Sequence, residues 1–493
     1  MRTLKELLGG LQYKLVCGSA DINVDSIEQD SRLCNEGSLF VAIRGGQFDG
    51  HDFIDGVLSR GTKAVVCEKY EKQEGFKDGV TIITLPDTRT ALAIMAHNFF
   101  DNPTKEMKVI GITGTNGKTT LTFLLRSLLE SVGYSSGIIG TTGIYFGDES
   151  YPATHTTPDP LQLSCYFEKM KEAGVQAVAM EVSSHALHQH RIDGIKFDAA
   201  IFTNLTHDHL DYHKTMEDYA SAKKNLFDML GRDALAIVNG DVDYSDFMLK
   251  NCKAKKQIRI GRKSGNDIQI MDESLHPDYS DFSLLSEGKK YNFRTGLIGR
   301  FNIENAAFAA TTCLGMGIEI EKIISGLADA RGAPGRMQKI ILKNKAVALV
   351  DYAHTPDALE KALKACRDVM ESSGNGNNRL ICVFGCGGDR DKTKRPVMGR
   401  LSAKIADYTI ITDDNPRTED SAKIIHDIYF GIGKEDKQKV LQISNRAEAI
   451  AYACGLAREN DILLVAGKGH EDYQVIGTVR HHFNDIEELE KYG

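Results

Sequence analysis

The chain has 493 residues, 42% hydrophobic and 26% charged, an ordinary balance for a globular protein but too long for one core; a prior of about 150 residues per domain suggests three. Its 60 basic and 68 acidic residues leave a net charge of −8, which argues against nucleic acid as a partner and leaves any anionic substrate to local basic groups. Ten scattered cysteines without a CxxC pair, no secretory apolar core and no run near the ~18 apolar residues of a membrane span lead us to expect a soluble cytoplasmic protein with no membrane partner.

In chain order, the opening MRTLKELLGGLQYKLV reads as a short amphipathic helix. Strand-like pieces follow at Leu39–Ile43, Ala64–Cys67 and Val80–Thr84, and Asn102-Pro-Thr-Lys105 reads as a linker. From Lys108 the pattern becomes strand then helix. Lys108–Thr113 is a buried-strand run, and apolar residues at Leu121, Leu124, Leu125, Leu128, Leu129 and Val132 predict a helix that Gly133 ends. Further buried strands are expected at Gln176–Glu181, Ala199–Thr203 and Leu235–Val238. A second break falls at Gly332-Ala-Pro-Gly335, after which strands recur at Ala346–Val350, Leu380–Phe384, Tyr408–Thr412 and Ile462–Ala466 with helical stretches between. That alternation predicts an α/β protein with parallel sheets in its middle and last thirds, divided at 1–105, 106–335 and 336–493.

Each apolar run of the last third ends in polar residues: Asp351-Tyr-Ala-His354, Gly385 to Arg390, Asp413 onward, and Gly467-Lys-Gly-His-Glu471. Open α/β sheets bind ligands at the carboxyl ends of their strands, so four such clusters point to one site more than to four separate surface loops. The third cluster, TDDNPRTED, sets four acids around a single arginine. Such a loop is either solvated surface or a grip for something zwitterionic.

Gly114-Thr-Asn-Gly-Lys-Thr-Thr120 lies between a predicted strand and a predicted helix. Glycines there bring backbone N–H groups to phosphate oxygens, Lys118 reaches the terminal phosphates, and Thr119 offers a hydroxyl to Mg²⁺. The leading glycine departs from the usual spacing, with Ile112 in its place. Glu181 ends a buried run in Met180-Glu-Val-Ser-Ser-His185, where a lone carboxylate needs a partner or a metal. Thr203-Asn-Leu-Thr-His-Asp-His-Leu-Asp-Tyr-His213 packs three histidines and two aspartates into one loop; zinc competes there with Mg²⁺ or Mn²⁺, and a phosphate-binding loop nearby favours the latter. In Ala222-Lys223-Lys224, neither lysine is singled out.

GTNGKTT, EVSSH, TNLTHDHLDYH, ASAK, GRFNIENAAFA, GAPGRM, DYAHTPDAL, FGCGGDRDKTKRP, DDNPRTE and GKGHEDYQ, in this order, closely resemble the Mur ligase family, from Asp30-Ser-Arg32 almost to the C-terminus. The resemblance implies a smaller N-terminal α/β domain for a UDP-sugar, a central P-loop-type ATPase domain on a parallel or mixed sheet, and a Rossmann-like C-terminal domain for an amino acid. It implies a monomeric, ATP- and Mg²⁺-dependent ligase that adds meso-diaminopimelate to UDP-N-acetylmuramoyl-L-alanyl-D-glutamate through an acyl phosphate, in cytoplasmic peptidoglycan precursor synthesis.

By resemblance, Gly114, Thr115, Asn116, Gly117, Lys118, Thr119 and Thr120 hold ATP, with Asn302, Arg336 and Asp351 also at the nucleotide. Thr119 and Glu181 serve one Mg²⁺; His209 and Lys223 serve a second, Lys223 as a carbamate formed with CO₂. Lys118, Glu181, His209 and Lys223 make up the catalytic set. The sugar nucleotide falls to Gln29, Ser31, Gly46, Gln47 and Phe48, and the muramoyl dipeptide to His155, Thr156, Thr157, Ser183, Gln189 and Arg191. His155 replaces a common Asn, and Gln29 an apolar residue. Arg390, Asp414, Asn415, Pro416, Arg417, Gly467 and Glu471 hold diaminopimelate. Arg417 forks onto the distal carboxylate, with acceptors beside it for the ammonium. A lysine-adding relative lacks this arginine. A folylpolyglutamate synthase needs no uridine-nucleotide domain, and a P-loop switch ATPase would hydrolyse ATP without a carboxylate acceptor. A dinucleotide enzyme built on Gly385-Cys-Gly-Gly388 would have Arg390 in the place of its third glycine.

Overall fold

The computed structural model describes residues 1–46, 48–70, 79–206, 208–372 and 378–493. The chain divides into two compact units, Met1–Lys118 with Gly133–Ile258, and Thr119–Val132 with Arg259–Gly493.

In the first unit the opening residues make a single helical turn, Leu4–Leu7, rather than a longer amphipathic helix. Thr3 caps it with Glu6 in a capping box, and the Gly9-Gly10 pair, with Gly10 at φ +83°, ends the helical run before strand Lys14–Cys17. That strand edges a sheet in the order Lys14–Cys17, Thr81–Thr84, Ala64–Cys67, Ser38–Val41, Ser26–Glu28, antiparallel at the first pair and parallel thereafter. Asn102–Lys105, expected as a linker, is a packed 3₁₀ turn with Pro103 and Thr104 buried; Thr104 Oγ1 lies 2.7 Å from His97 Nε2.

A second sheet of the same unit sets the parallel strands Ser136–Gly140, Ala177–Glu181, Lys108–Thr113, Ala199–Phe202 and Leu235–Asn239 side by side. Nearly every residue of these strands is buried, which is why they read as unbroken apolar runs rather than as alternation. The hairpin Gly143–Phe146 and Glu149–Tyr151 extends the sheet antiparallel at one edge.

The second unit contains the helix after the glycine turn (Lys118–Ser131, its residues from Thr119 on) and an antiparallel meander, Ile268–Leu275, Ser280–Ser286 and Lys289–Thr295. Helices Arg300–Gly315 and Ile320–Asp329 pack on the meander. The sheet that follows has the order Gln338–Ile341, Val347–Asp351, Ile462–Ala466, Leu380–Phe384, Tyr408–Ile411, Val440–Gln442, parallel except at its first pair. Ile462–Ala466, last in sequence, lies between the first two parallel strands. The strand order therefore reverses there, and open α/β sheets place their binding crevice at such a switch point. A hairpin, Tyr473–Ile476 with Val479–His482, follows. Among the described residues no helix is long and apolar enough to cross a membrane.

Candidate active site

The turn Gly114–Gly117 leaves strand Lys108–Thr113 and enters the helix at Lys118. Gly114 sits at φ +150° and Gly117 at φ +92°, and a Cβ on Gly114 would collide with the Thr203 hydroxyl. The segment Thr203–Thr206 braces this turn. Thr203 Oγ1 and Asn204 Nδ2 donate to the Asn116 carbonyl at 2.7 and 3.2 Å, Asn204 Oδ1 accepts the Asn116 N–H at 2.9 Å, and its carbonyl accepts the Thr115 N–H at 2.9 Å. Lys118 Nζ bends over the turn and donates to the Gly114 and Thr115 carbonyls at 2.8 and 3.0 Å. The next two residues, Thr119 and Thr120, are buried.

The structure separates the two helix lysines. Lys224 turns to Asp228, whereas Lys223 is 1% exposed, donates to the Gly114 carbonyl at 3.0 Å and stands 4.5 Å from the Tyr219 ring centroid. Desolvation, then the charge of Lys118, hold its pKa well below the ordinary lysine value. Both causes favour the uncharged amine, the form that adds to CO₂.

Glu181 is buried at the end of its strand, where Oε1 accepts the Thr141 N–H at 2.9 Å and Oε2 the Thr141 hydroxyl at 3.1 Å. A carboxylate has lone pairs beyond these two, so Glu181 can accept a further partner. Beside it, the Thr157 hydroxyl donates to the Glu181 carbonyl and accepts the Ser183 N–H, while Thr156 meets Thr141 at 3.1 Å. Arg191 donates to the Thr157 carbonyl at 2.9 Å and forks onto Gln189 Oε1. Thr156, Thr157, Ser183, Gln189 and Arg191 thus form one polar cluster with Glu181. His155 is exposed and stands in none of its described hydrogen bonds.

The histidine loop is largely ring packing. His213 Nε2 lies 2.9 Å from Ser184 Oγ and its ring stacks on Tyr219; burial pushes its pKa down to about 4. His209 sits in the left-handed region at φ +53°, half exposed, with its ring 5.0 Å from that of His185. Among the described residues no three His, Cys, Asp or Glu side chains gather as a cation cage. In the first sheet, Gln29 and Ser31 follow strand Ser26–Glu28, and Gly46 and Phe48 follow its parallel neighbour Ser38–Val41, so both pairs lie at one carboxyl edge. Gln47 lies outside the described residues.

In the second unit, Asp351 accepts the Met337 and Ala353 N–H groups, each at 2.9 Å; burial raises its pKa and Arg336 opposes the rise. The Arg336 guanidinium lies 4.8 Å over the Tyr352 ring, and its Nε is buried without a hydrogen-bond partner. Asn302 is buried, donating to the Ile298 carbonyl at 2.9 Å and accepting from Asn305.

The acids of TDDNPRTED have distinct duties. Glu419 takes Arg395 and Lys392 and is pushed down to about 2, Asp420 caps helix Ser421–Phe430, and Asp413 accepts from Ser421. Arg417 pairs with neither Glu419 nor Asp420 among the described bonds; its guanidinium donates to the Gly388 carbonyl at 2.7 Å. Its backbone, at φ +52°, is held by hairpin bonds to the Val475 carbonyl and from the Gly477 N–H. Asn415 Nδ2 donates to Glu471 Oε2 at 3.0 Å, and Asp414, 9% exposed, keeps a buried Oδ1 without a hydrogen bond. Gly388 must be glycine, because a Cβ there would collide with the Pro416 carbonyl. Arg390 is exposed and donates to the Asp389 carbonyl.

Family models match almost end to end: "Mur ligase family, catalytic domain" at residues 23–100, "Mur ligase middle domain" at 112–313 and "Mur ligase, glutamate ligase domain" at 335–469. A Clostridium acetobutylicum protein named UDP-N-acetylmuramoyl-L-alanyl-D-glutamate--2,6-diaminopimelate ligase 1 is 42% identical, covering 99% of this chain and 98% of its own. The chain belongs to the Mur ligase family. A solved diaminopimelate ligase of that name superposes with TM-score 0.74 at 32% identity, over 100% of this chain and 98% of the other. Mycobacterium tuberculosis folylpolyglutamate synthase shares the fold at TM-score 0.61 and 16% identity, over 77% of this chain and 92% of its own. Mur ligases are ATP-dependent ligases, so the readings as a switch ATPase and a dinucleotide enzyme fall away, and the full-length match to diaminopimelate ligases sets aside a folylpolyglutamate synthase.

Several residues of this Mur ligase site were invisible in its sequence. Thr141 holds Glu181, and Asn204 holds the glycine turn at Gly114–Gly117. Arg446, fully buried, pairs with Asp485 and donates to the Asp413 and Ala466 carbonyls, tying two strand ends together. Lys468 is fully buried among Asp414, Asn415 and Glu471. A basic residue flanked by glycines, as Lys468 is, was the one available hint.

Proposed function

We propose that this Mur ligase joins meso-diaminopimelate to UDP-N-acetylmuramoyl-L-alanyl-D-glutamate at the expense of ATP. The observation that carries the substrate assignment is the composition of the clasp at the sheet's switch point. Asp414, whose buried Oδ1 makes no hydrogen bond, and Glu471 serve the distal ammonium, and Arg417, whose described guanidinium bond goes to a carbonyl rather than an acid, serves the distal carboxylate. L-Lysine has the ammonium but lacks that carboxylate.

The D-glutamyl carboxylate attacks the γ-phosphorus of ATP, ADP leaves, and an acyl phosphate forms. The amine of diaminopimelate then attacks the acyl carbon, phosphate departs, and the nitrogen loses its proton. Positioning and charge neutralisation do most of the work in such transfers. Gly114 to Thr120 cradle the triphosphate, and Lys118 leaves the Gly114 and Thr115 carbonyls for the phosphate oxygens. Asn302, Arg336 and Asp351 serve the nucleotide. Thr156, Thr157, Ser183, Gln189 and Arg191 orient the dipeptide, with His155 at their margin. The edge loops at Gln29, Ser31, Gly46, Gln47 and Phe48 take the uridine nucleotide.

Glu181 with its spare lone pairs and the Thr119 hydroxyl would serve one hard cation, and the imidazole of His209 with Lys223 a second, the latter best if Lys223 carries a carbamate: its uncharged nitrogen bonds to CO₂ carbon, a proton leaves, and one negative charge shared by two oxygens replaces a would-be cation. Mg²⁺ held by these residues would neutralise phosphate charge.

The test is phosphate release by purified protein given ATP, Mg²⁺ and the UDP-muramoyl dipeptide, with meso-diaminopimelate or L-lysine added in turn. Release that needs diaminopimelate, with Arg417→Ala raising its KM and sparing that of ATP, is expected. Equal use of lysine, or equal losses toward both ligands, would defeat the assignment.

A further inference from the structure

Lys468 follows Gly467 at the end of strand Ile462–Ala466, the strand on which the sheet order reverses. Its side chain is 0% exposed, and lysine is almost never fully buried unless paired. Nζ stands 3.2 Å from Asn415 Oδ1, 3.3 Å from Glu471 Oε2 and 3.5 Å from Asp414 Oδ1, and 5.6 Å from the Tyr473 ring centroid.

Two consequences follow from that geometry. Asn415 Oδ1 accepts from both Lys468 and the Val475 N–H, the latter at 2.9 Å, so the amide cannot flip and its Nδ2 is committed to Glu471 Oε2. Glu471 Oε2 therefore serves two donors, leaving Oε1, and Asp414 Oδ1, which faces Lys468 at 3.5 Å but makes no hydrogen bond, as acceptors for a ligand ammonium. The second consequence is charge. Asp414 and Glu471 would present two negative charges, and Lys468 reduces them to one, which a single ammonium neutralises.

We propose that Lys468 is a positioning residue that makes the clasp selective for one ammonium, acting through Asn415, Asp414 and Glu471 rather than by touching the amino acid. The inference rests on the diaminopimelate reading of the clasp. The buried Lys468, and not only Arg417, then decides which amino acid is used.

The experiment measures steady-state kinetics of the full chain with all three substrates, for wild type, Lys468→Met, Lys468→Gln, Glu471→Gln and the double variant Lys468→Met/Glu471→Gln. Methionine removes both the charge and the donor; glutamine keeps a donor and helps a folded variant survive. The expected result is a KM for diaminopimelate raised at least about tenfold in both Lys468 variants, with KM for ATP and for the UDP-muramoyl dipeptide within about twofold of wild type. The double variant should fall at least about fivefold short of the product of its single losses, because both substitutions act on one network. An unchanged diaminopimelate KM, a parallel rise in all three KM values, or a double variant that equals the product would overturn the proposal. Should Lys468→Met not fold, Lys468→Gln is judged by the same KM criteria. Wild-type turnover that does not need diaminopimelate would remove the reading beneath it as well. A wild type that needs it beside indifferent Lys468 variants would remove this inference alone.

Discussion

Arg446→Met tests how the clasp is held. The Arg446 guanidinium and the Asp485 carboxylate are each 0% exposed and meet through two bonds of 2.7 Å. The same guanidinium donates to the Asp413 carbonyl at 3.2 Å and the Ala466 carbonyl at 3.0 Å, one residue before Asp414 and Gly467. Removing one partner of a buried pair leaves the other charge unpaired and costs about 3–5 kcal/mol. Arg446→Met should therefore lower stability by about that much and raise the KM for diaminopimelate. Arg446→Met/Asp485→Leu removes the stranded charge and should recover part of the loss. It cannot recover all, because two carbonyls stay without donors, at about 1–3 kcal/mol each. Urea unfolding followed by far-ultraviolet circular dichroism measures both, since the chain has no tryptophan to report by fluorescence. A single-variant loss below about 1 kcal/mol, or simple additivity in the double variant, would refute the reasoning.

Lys223→Met should lower turnover at least about a hundredfold yet raise the thermal midpoint. The depressed pKa of Lys223 means that the unfolded chain binds a proton which the folded chain does not. Its contribution is thus lost as pH falls from the ordinary lysine value. A lower midpoint would contradict this. His97, held between Ser164 and Thr104, is pushed down by burial to about 4, so stability should fall as pH drops from 6.5 towards 4, by up to about 3 kcal/mol, and His97→Gln should flatten that stretch of the profile. Gly114→Ala should raise the KM for ATP at least about tenfold, because its Cβ meets the Thr203 hydroxyl at a backbone angle that suits glycine; an unchanged KM would count against the brace described here.

What the sequence disclosed follows burial. Lys108–Thr113, Ala64–Cys67, Leu380–Phe384 and Ile462–Ala466 were legible to the residue, because strands covered on both faces are continuous apolar runs. The meander Ile268–Thr295 escaped notice, since its strands carry Asp, Glu and Lys on an open face. The N-terminal helix was overdrawn because apolar spacing continues past Gly9 and Gly10. Lys223 and Lys224 read alike until tertiary packing brings Gly114, 109 positions away, against only one of them. Lys468 was not singled out in the sequence, because one of its acids, Asp414, comes from a different strand end.

The central claim is that ATP energy passes through an acyl phosphate into an amide bond. Its most direct test uses UDP-muramoyl dipeptide labelled with ¹⁸O in the D-glutamyl carboxylate, turned over with ATP and meso-diaminopimelate. Mass spectrometry of the released phosphate should find one ¹⁸O carried over per amide formed. Unlabelled phosphate beside full amide yield would contradict the account.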